Sequence, residues 1–383
     1  MKTYKNLWED FISEENILAS IKQAARGKND KECVQFAKAD IDRYVEHIRS
    51  YAENFRSKQH HHKQIKDGKN GKIRDIVIPT FDETVIHHML INVLAEMFTK
   101  GMYRHTYSSI PGRGLHDANR KIVKIIKNDP RHCKYFLKMD IKKFFNSIDV
   151  RIIKERLSTY IKDKKILAIF FDILDSEPES GIPLGFYTSH WLANWLLQPL
   201  DHYITEQLGA AHYIRYMDDM LITGSNKEDL HQIKDCIEEY LYMNYKLNLK
   251  QNWQVSRFEY KSNKKNKNKA AGYKRGEAID FAGFKFHRNG GVSLRKGLLK
   301  RLIRKANKIY KKQKITIHDA YQMVSYNGWA SWADTTYIMK HYVLPKCSLN
   351  KCKEYISQYS KRRQKKISEA IIYFKEGNYE YPI

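Results

Sequence analysis

The sequence is short of the features that mark secreted, membrane-spanning and disulfide-stapled proteins. Its cysteines, Cys33, Cys133, Cys236, Cys347 and Cys352, are odd in number and form no Cys-x-x-Cys pair. No disulfide framework is read from them, and a reducing compartment is expected. Cys347 and Cys352 lack the spaced His or Cys partners of a zinc finger. No run approaches the ~20 apolar residues that span a bilayer. Residues 1–10 hold no apolar signal core, so a cytoplasmic location is expected. No internal repeat is present, and low-complexity sequence is confined to the Lys/Asn stretch 261–269, read as a solvated loop. Acids are scarce beside bases: 43 Asp+Glu against 69 Lys+Arg, a net charge of +26. Such a field favours polyanions, with salt-dependent affinity. Charge alone admits nucleic acid or an anionic membrane surface.

What is present is hydrophobic periodicity. Residues 1–58 read as helical, with Leu18, Ile21 and Ala25, then Phe36, Ile41, Tyr44, Ile48 and Tyr51, at helical spacing. Residues 63–72 are polar and Gly-containing, a hairpin turn or loop. Residues 75–79 read as a strand ended by Pro79. Asp82 is read as the N-cap of a helix with Ile86, Leu90, Val93, Leu94 and Met97 on one face. Residues 135–139 form a short strand leading to Asp140. Residues 150–160 and 166–174 read as helices, 191–208 as a long apolar helix, and 226–244 as an amphipathic one. Residues 213–223 read as strand, turn, strand, with Asp218 and Asp219 at the turn. From Ser293 the chain becomes basic and helical: Leu298, Leu302, Ala306 and Ile309 oppose Lys300, Arg301, Arg304, Lys305 and Lys308. That places a boundary near residue 290. Residues 361–366 are another basic helix surface, and His60, His61 and His62 read as a solvated turn.

The acids carry the chemistry. Nucleotide polymerisation holds an attacking 3′-oxygen, an alpha-phosphorus and a leaving pyrophosphate in line. Two Mg²⁺ ions about 3.5–4 Å apart can do this. Mg²⁺ takes one or two protein carboxylates and completes its octahedron with phosphate and water. Carboxylates at rigid strand ends, from separate segments, are therefore required. Asp140 ends one apolar strand, and Asp218 and Asp219 sit between two others. Acids in a buried sheet need a partner or a cation.

Tyr216-Met217-Asp218-Asp219 resembles the Tyr-x-Asp-Asp box of reverse transcriptases. Residues 138–149, Lys-Met-Asp-Ile-Lys-Lys-Phe-Phe-Asn-Ser-Ile-Asp, resemble their first palm motif. Residues 181–189, Gly-Ile-Pro-Leu-Gly-Phe-Tyr-Thr-Ser, stand between the two, as the motif that grips template and nucleotide does. The resemblance covers about residues 65–340. It implies an α+β right-hand polymerase fold. The parts would be an N-terminal helical extension (1–60), fingers (61–134), a palm with an antiparallel sheet flanked by helices (135–290), and a basic helical thumb with tail (291–383). It implies RNA-directed DNA synthesis with two Mg²⁺ ions, Mn²⁺ being a substitute. The implied partners are template RNA, primer or cDNA and dNTPs, and with them a dedicated noncoding RNA and a small accessory protein.

The same resemblance implies roles. Asp140 and Asp218 would be the principal metal ligands, with Asp219 supporting and Ile141 in the metal set. Phe145 aligns with the steric gate under the sugar, although one of Phe144 and Phe145 is expected in the core. Lys72 and Arg74 would grip the triphosphate. Leu184, Gly185 and Tyr216 would contact substrate. Lys250 would give a proton to pyrophosphate, with Lys246 a competitor. Residues 279–286 resemble a primer grip, with Phe284 and Phe286 on one face and Gly283 permitting close backbone approach. Residues 326–332 resemble a thumb motif whose Trp329 and Trp332 serve as core or as a stacking platform.

Pro183-Leu184-Gly185 departs from the Pro-Gln-Gly of many bacterial reverse transcriptases. Enzymes of diversity-generating retroelements share the aliphatic residue, which is linked there to error-prone copying of adenines. They follow it with Thr-Ser-Gln, whereas here Thr188-Ser189 precedes His190. Antiviral defence reverse transcriptases are the close alternative. In the basic, helical residues after the thumb-like motif no HNH-type endonuclease or RNase H domain is expected. Rival classes are a catalytically silent RNA-binding protein, a two-metal nuclease and a membrane-surface protein. None of the three accounts for the acids, the gate and the two grips together.

Overall fold

Helix-forming sequence fills the first fifty residues because its apolar side chains repeat on one face of each turn. The computed structural model describes residues 2–57, 60–66, 73–177, 181–261, 274–312 and 314–376. The chain opens with α1 (Trp8–Ile12), α2 (Glu14–Ala24), α3 (Glu32–Ala39) and α4 (Ile41–Glu53). Ser13 caps α2 by accepting from the Asn16 amide, and Asp40 caps α4 by accepting from the Arg43 amide.

A hairpin of β1 (His61–Lys66) and β2 (Ile73–Ile78) follows, with His61 opposite Ile78. Residues 63–66, expected in a hairpin turn or loop, are therefore strand. β1 is exposed along its length, so ladder bonds to β2 rather than an apolar face make it, and hydropathy carries no sign of it. Lys72 and the rest of the expected turn lie outside the described residues. Helix α5 (Phe81–Thr99) is capped by Thr80, not by Asp82. Thr80 Oγ1 accepts from the Glu83 amide at 3.2 Å and Glu83 Oε2 accepts from the Thr80 amide at 3.1 Å, a reciprocal box. Asp82 instead accepts from the Tyr44 hydroxyl and meets His47 at 3.1 Å.

The centre is built from β3 (Thr106–Tyr107), α6 (Leu115–Asn128), β4 (Tyr135–Asp140), α7 (Phe144–Ser147), α8 (Val150–Tyr160), α9 (Lys164–Asp175), α10 (Tyr187–Leu196), α11 (Gln198–His202), β5 (His212–Tyr216), β6 (Asp219–Gly224), α12 (Lys227–Tyr245) and β7 (Gln254–Arg257). The helix expected over 191–208 starts earlier and is segmented. Pro199 opens α11, which runs into a π-helical turn at Tyr203–Gln207. The remaining elements are β8 (Tyr260–Lys261), β9 (Lys274–Arg275), β10 (Ile279–Phe281), β11 (Phe284–Phe286), β12 (Val292–Leu294), α13 (Lys296–Tyr310), α14 (Ile317–Ala330), α15 (Thr336–Ile338) and α16 (Leu349–Glu376).

Five strands form the central sheet in the order β3-β5-β6-β4-β7, parallel only between β3 and β5. Alternation sends its side chains into two cores. Leu137, Met139, Tyr213, Met220 and Ile222 join the larger core with α5 and α8 to α12. Phe136, Ile214 and Leu221 join the second with α6, the β10–β12 sheet, α13 and α14. The same alternation puts Asp140 and Asp219 on the face of the second core.

Phe284 and Phe286 are both fully buried there, and Trp329 stacks on Phe284 at 5.3 Å. Gly283 allows that contact, since a Cβ would lie 2.6 Å from the Trp329 ring. Trp332 is 36% exposed and stacks on His116 at 4.0 Å. Thus Trp329 is partly buried against the second core, and Trp332 is a surface stack.

Candidate active site

The site grows from the ends of two paired strands. β4 and β6 run antiparallel, with Met139 opposite Met220 and Asp140 opposite Asp219. β5 and β6 pair through Tyr216 and Asp219, so only Met217 and Asp218 form the turn. Asp219 is therefore the first residue of a strand rather than part of the turn. Met217 sits at φ 59° and is buried. A two-residue hairpin takes positive φ at its first position to match strand twist. A side chain there costs about 1–3 kcal/mol, which the surroundings must offset.

Asp140 and Asp218 are brought together. Burial first, and then the Asp140 carboxylate beside it, push the Asp218 carboxyl up to about 7. Burial likewise raises Asp219, with Lys138 opposing and Asp140 adding. Asp140 Oδ2 is paired with Lys250 Nζ, while Asp140 Oδ1 is buried with no hydrogen-bond partner. The main chain repeats the link: the Lys250 amide donates to the Asp140 carbonyl at 2.8 Å, and Ile141 bridges Leu249. An orphaned carboxylate oxygen pressed against a second carboxyl suits a hard cation such as Mg²⁺, so the residues fit a metal. Among the described residues no group of three or more His, Cys, Asp or Glu is arranged as a metal site. A cleft of about 650 Å³ opens beside Asp140, lined by Lys138, Asn252, Gln254, Glu259 and Asp280 among others.

Other expected residues gather around this pair in part. Phe144 is core. Phe145 is half-buried with its ring edge-on to His190 at 5.3 Å. The Phe145 carbonyl accepts from the Ile182 amide at 3.0 Å, and the Leu184 carbonyl accepts from the Val77 amide at 2.9 Å. The segment bearing Leu184 is thus bonded on one side to α7 and on the other to β2. Gly185 makes the approach possible. At its φ of +130° a Cβ would lie 2.1 Å from the Val77 carbonyl oxygen. Arg74 is exposed on β2, opposite Ile65. Tyr216 is half-buried against the second core. Lys246 makes its recorded contact elsewhere. It ends α12 in the left-handed region, with its Nζ over Tyr242.

The reverse transcriptase (RNA-dependent DNA polymerase) family model matches residues 62–272, a stretch that holds all three acids. The chain belongs to the reverse transcriptase family. Among curated proteins it is 28% identical over 199 residues to the retron Ec73 reverse transcriptase of Escherichia coli, covering 48% of this chain and 60% of that protein. It is 26% identical over 144 residues to the group II intron-encoded protein LtrA of Lactococcus lactis, covering 35% of this chain and 23% of that one. The chain therefore spans under two thirds of these relatives. Of solved structures, apo telomerase from Candida tropicalis aligns at a TM-score of 0.46 with 12% identity, over 82% of this chain and 64% of that chain.

One group in this reverse transcriptase was not singled out from the sequence. Arg215 is fully buried beneath the turn. Its guanidinium donates to Asp201 Oδ1 at 2.7 Å and Oδ2 at 2.5 Å, to Asn194 Oδ1 at 3.0 Å and to the Met217 carbonyl at 3.1 Å. Tyr213 adds a hydroxyl to Asp201 at 2.8 Å. The available signal was an arginine inside an apolar strand with an aspartate in an apolar helix, since neither charge can be buried alone. No helix among the described residues is long and apolar enough to cross a membrane.

Proposed function

We propose that this reverse transcriptase is an RNA-directed DNA polymerase that extends a primer on an RNA template. The observation that carries this reading is the contact of Asp140 and Asp218 at neighbouring strand ends, with Asp140 Oδ1 buried and unpartnered. Asp140, Asp218, the Ile141 main chain and, in support, Asp219 would hold two Mg²⁺ ions. Bound there, the metal would lower the charge on the reacting phosphate and its leaving group. In this reading β1–β2 and α5 belong to the fingers, the five-stranded sheet to the palm, and α13 to α16 to the thumb. Phe145 stands under the sugar and excludes a ribose 2′-hydroxyl by bulk. Arg74, with Lys72, neutralises the triphosphate. Lys250, already ion-paired at Asp140, donates a proton to the departing pyrophosphate. Leu184 and Gly185 line the nucleotide, and the β10–β11 hairpin supports the primer end.

Leu184 supports an error-prone enzyme of diversity-generating retroelement type, because an aliphatic side chain offers no amide hydrogen bond near the base. The second reading is a defence enzyme working with a dedicated noncoding RNA. It gains from the 28% identity to a retron protein. Sequencing the RNA that copurifies with the protein separates the two.

The test of the shared reading is primer extension on a defined RNA template with dNTPs and Mg²⁺. Wild-type protein extends the primer. Asp218→Ala abolishes extension while RNA binding persists. Full extension by the Asp218→Ala protein, or cleavage in place of extension, overturns the assignment.

A further inference from the structure

We propose that His60 is a positioning residue for the incoming-nucleotide pocket, tying the β1–β2 hairpin and α5 to the segment that carries Leu184 and Gly185. The inference rests on the polymerase reading above.

His60 is not a solvated turn residue, since its side chain is 1% exposed. Nε2 lies 3.2 Å from Glu83 Oε1 and Nδ1 lies 3.0 Å from Glu177 Oε1. A neutral imidazole donates through one nitrogen only. Contact of both ring nitrogens with carboxylate oxygens therefore calls for a shared proton on each side, carried by the ring or by a glutamate. The Glu83 carboxyl group is completely buried, so it needs hydrogen-bond partners of this kind.

The three partners sit on different elements. Glu83 belongs to the first turn of α5, where it also closes the Thr80 cap. Glu177 lies between α9 and Gly181. The His60 ring is edge-on to Phe186 at 4.8 Å, directly after Gly185. Other polar groups facing the cluster extend the same tie. His62 reaches Glu177 Oε2 at 3.4 Å and Asp75 Oδ2 at 2.7 Å, joining β1 and β2 to it. The Ser57 hydroxyl donates to Glu83 Oε1 at 2.9 Å and the Ser57 amide to Asp172 at 2.5 Å. His87 of α5 also packs edge-on with Phe186 at 4.9 Å. The elements so joined are those whose main chains meet at Val77 N–H and the Leu184 carbonyl. A buried histidine that served packing alone would not need a carboxylate on each nitrogen from two separate segments.

The experiment compares wild type, His60→Gln, Glu177→Gln and the double variant. His60→Gln is expected to raise KM for dNTP about tenfold and to change kcat by less than about twofold. Glu177→Gln produces a smaller rise in the same constant. The double variant is no worse than His60→Gln, because the two act through one contact. Hydrogen exchange read on the same proteins gives an answer independent of activity. The Val77 and Ile182 amides lose protection while α2 and the far end of α5 keep theirs. Unchanged exchange at Val77 and Ile182 in folded His60→Gln overturns the proposal, as does a strictly additive double variant. Should wild type show no extension, the polymerase reading fails, and exchange alone judges the tie. Should His60→Gln not fold, Glu177→Gln decides through the same two readouts.

Discussion

The Arg215 guanidinium donates to the main-chain carbonyl of Met217 at 3.1 Å, from beneath the turn that carries Asp218. Through this contact a buried ion pair supports a strained residue next to the site. Replacing Arg215 by Met leaves Asp201 uncompensated in the larger core. A loss of about 3–5 kcal/mol is expected for breaking a buried pair, seen as a lowered midpoint in urea denaturation. The Arg215→Met, Asp201→Leu double variant recovers much of that stability but not extension activity, because the turn has lost its donor.

Phe145 is half-buried and packs edge-on with His190, whose imidazole is shifted by burial below its ordinary pKa. Phe145→Ala removes bulk without touching an acid. Ribonucleotide incorporation relative to deoxyribonucleotide should rise by about 10–200-fold, the range that steric discrimination supplies. Single-nucleotide extension with rNTP and dNTP measures it. An unchanged ratio places the gate elsewhere.

Leu184 presents an aliphatic side chain where a glutamine amide would offer hydrogen bonds. Leu184→Gln should lower misincorporation opposite template adenines several-fold, on the order of 1 kcal/mol of discrimination for one added hydrogen bond. Deep sequencing of cDNA from a defined template reads it, and an identical error spectrum removes Leu184 from fidelity.

Gly185 meets the Val77 carbonyl so closely that any side chain must displace β2. Gly185→Ala should cut kcat/KM by about 10²-fold through that displacement. RNA binding, which depends on many phosphate contacts, changes little. Steady-state kinetics and filter binding together check the pair of outcomes.

His87 is buried with both ring nitrogens unpartnered, and burial lowers it to about 3. The unfolded chain binds a proton at this residue below its ordinary pKa of about 6.5 and the folded chain does not. Stability therefore falls as pH drops from about 6.5 towards 3, by about 1.4 kcal/mol per unit from this group. His87→Leu should flatten the decline of Tm between pH 7 and 5. A slope identical to wild type would assign the acid sensitivity to other groups.

Much of the site was legible because its logic is local. Apolar strands ending in acids announce a buried carboxylate pair, and helical spacing located α8, α9 and α12 closely. Other features carried no local signature. β1 is a polar strand made only by its partner. Thr80 rather than Asp82 caps α5 because the backbone turns extended at Thr80. His60 looks like surface polarity until Glu83 and Glu177 are seen on either side of it. Lys72 and the Lys/Asn stretch beyond residue 261 lie outside the described residues, so the structure adds nothing to their reading.

The sequence by itself determined the order of the acidic boxes, the apolar runs that bury them and the cationic excess suited to a polyanion. These follow from side-chain chemistry and chain periodicity, which need no knowledge of neighbours. Only the tertiary structure decided that Asp140 faces Asp218, that Lys250 claims one oxygen and leaves the other without a partner, that Arg215 is an interior charge and that His60 is a buried bridge between two glutamates. Those facts depend on which distant segments share a face, and a buried charge is stable only where folding brings its counter-charge to meet it.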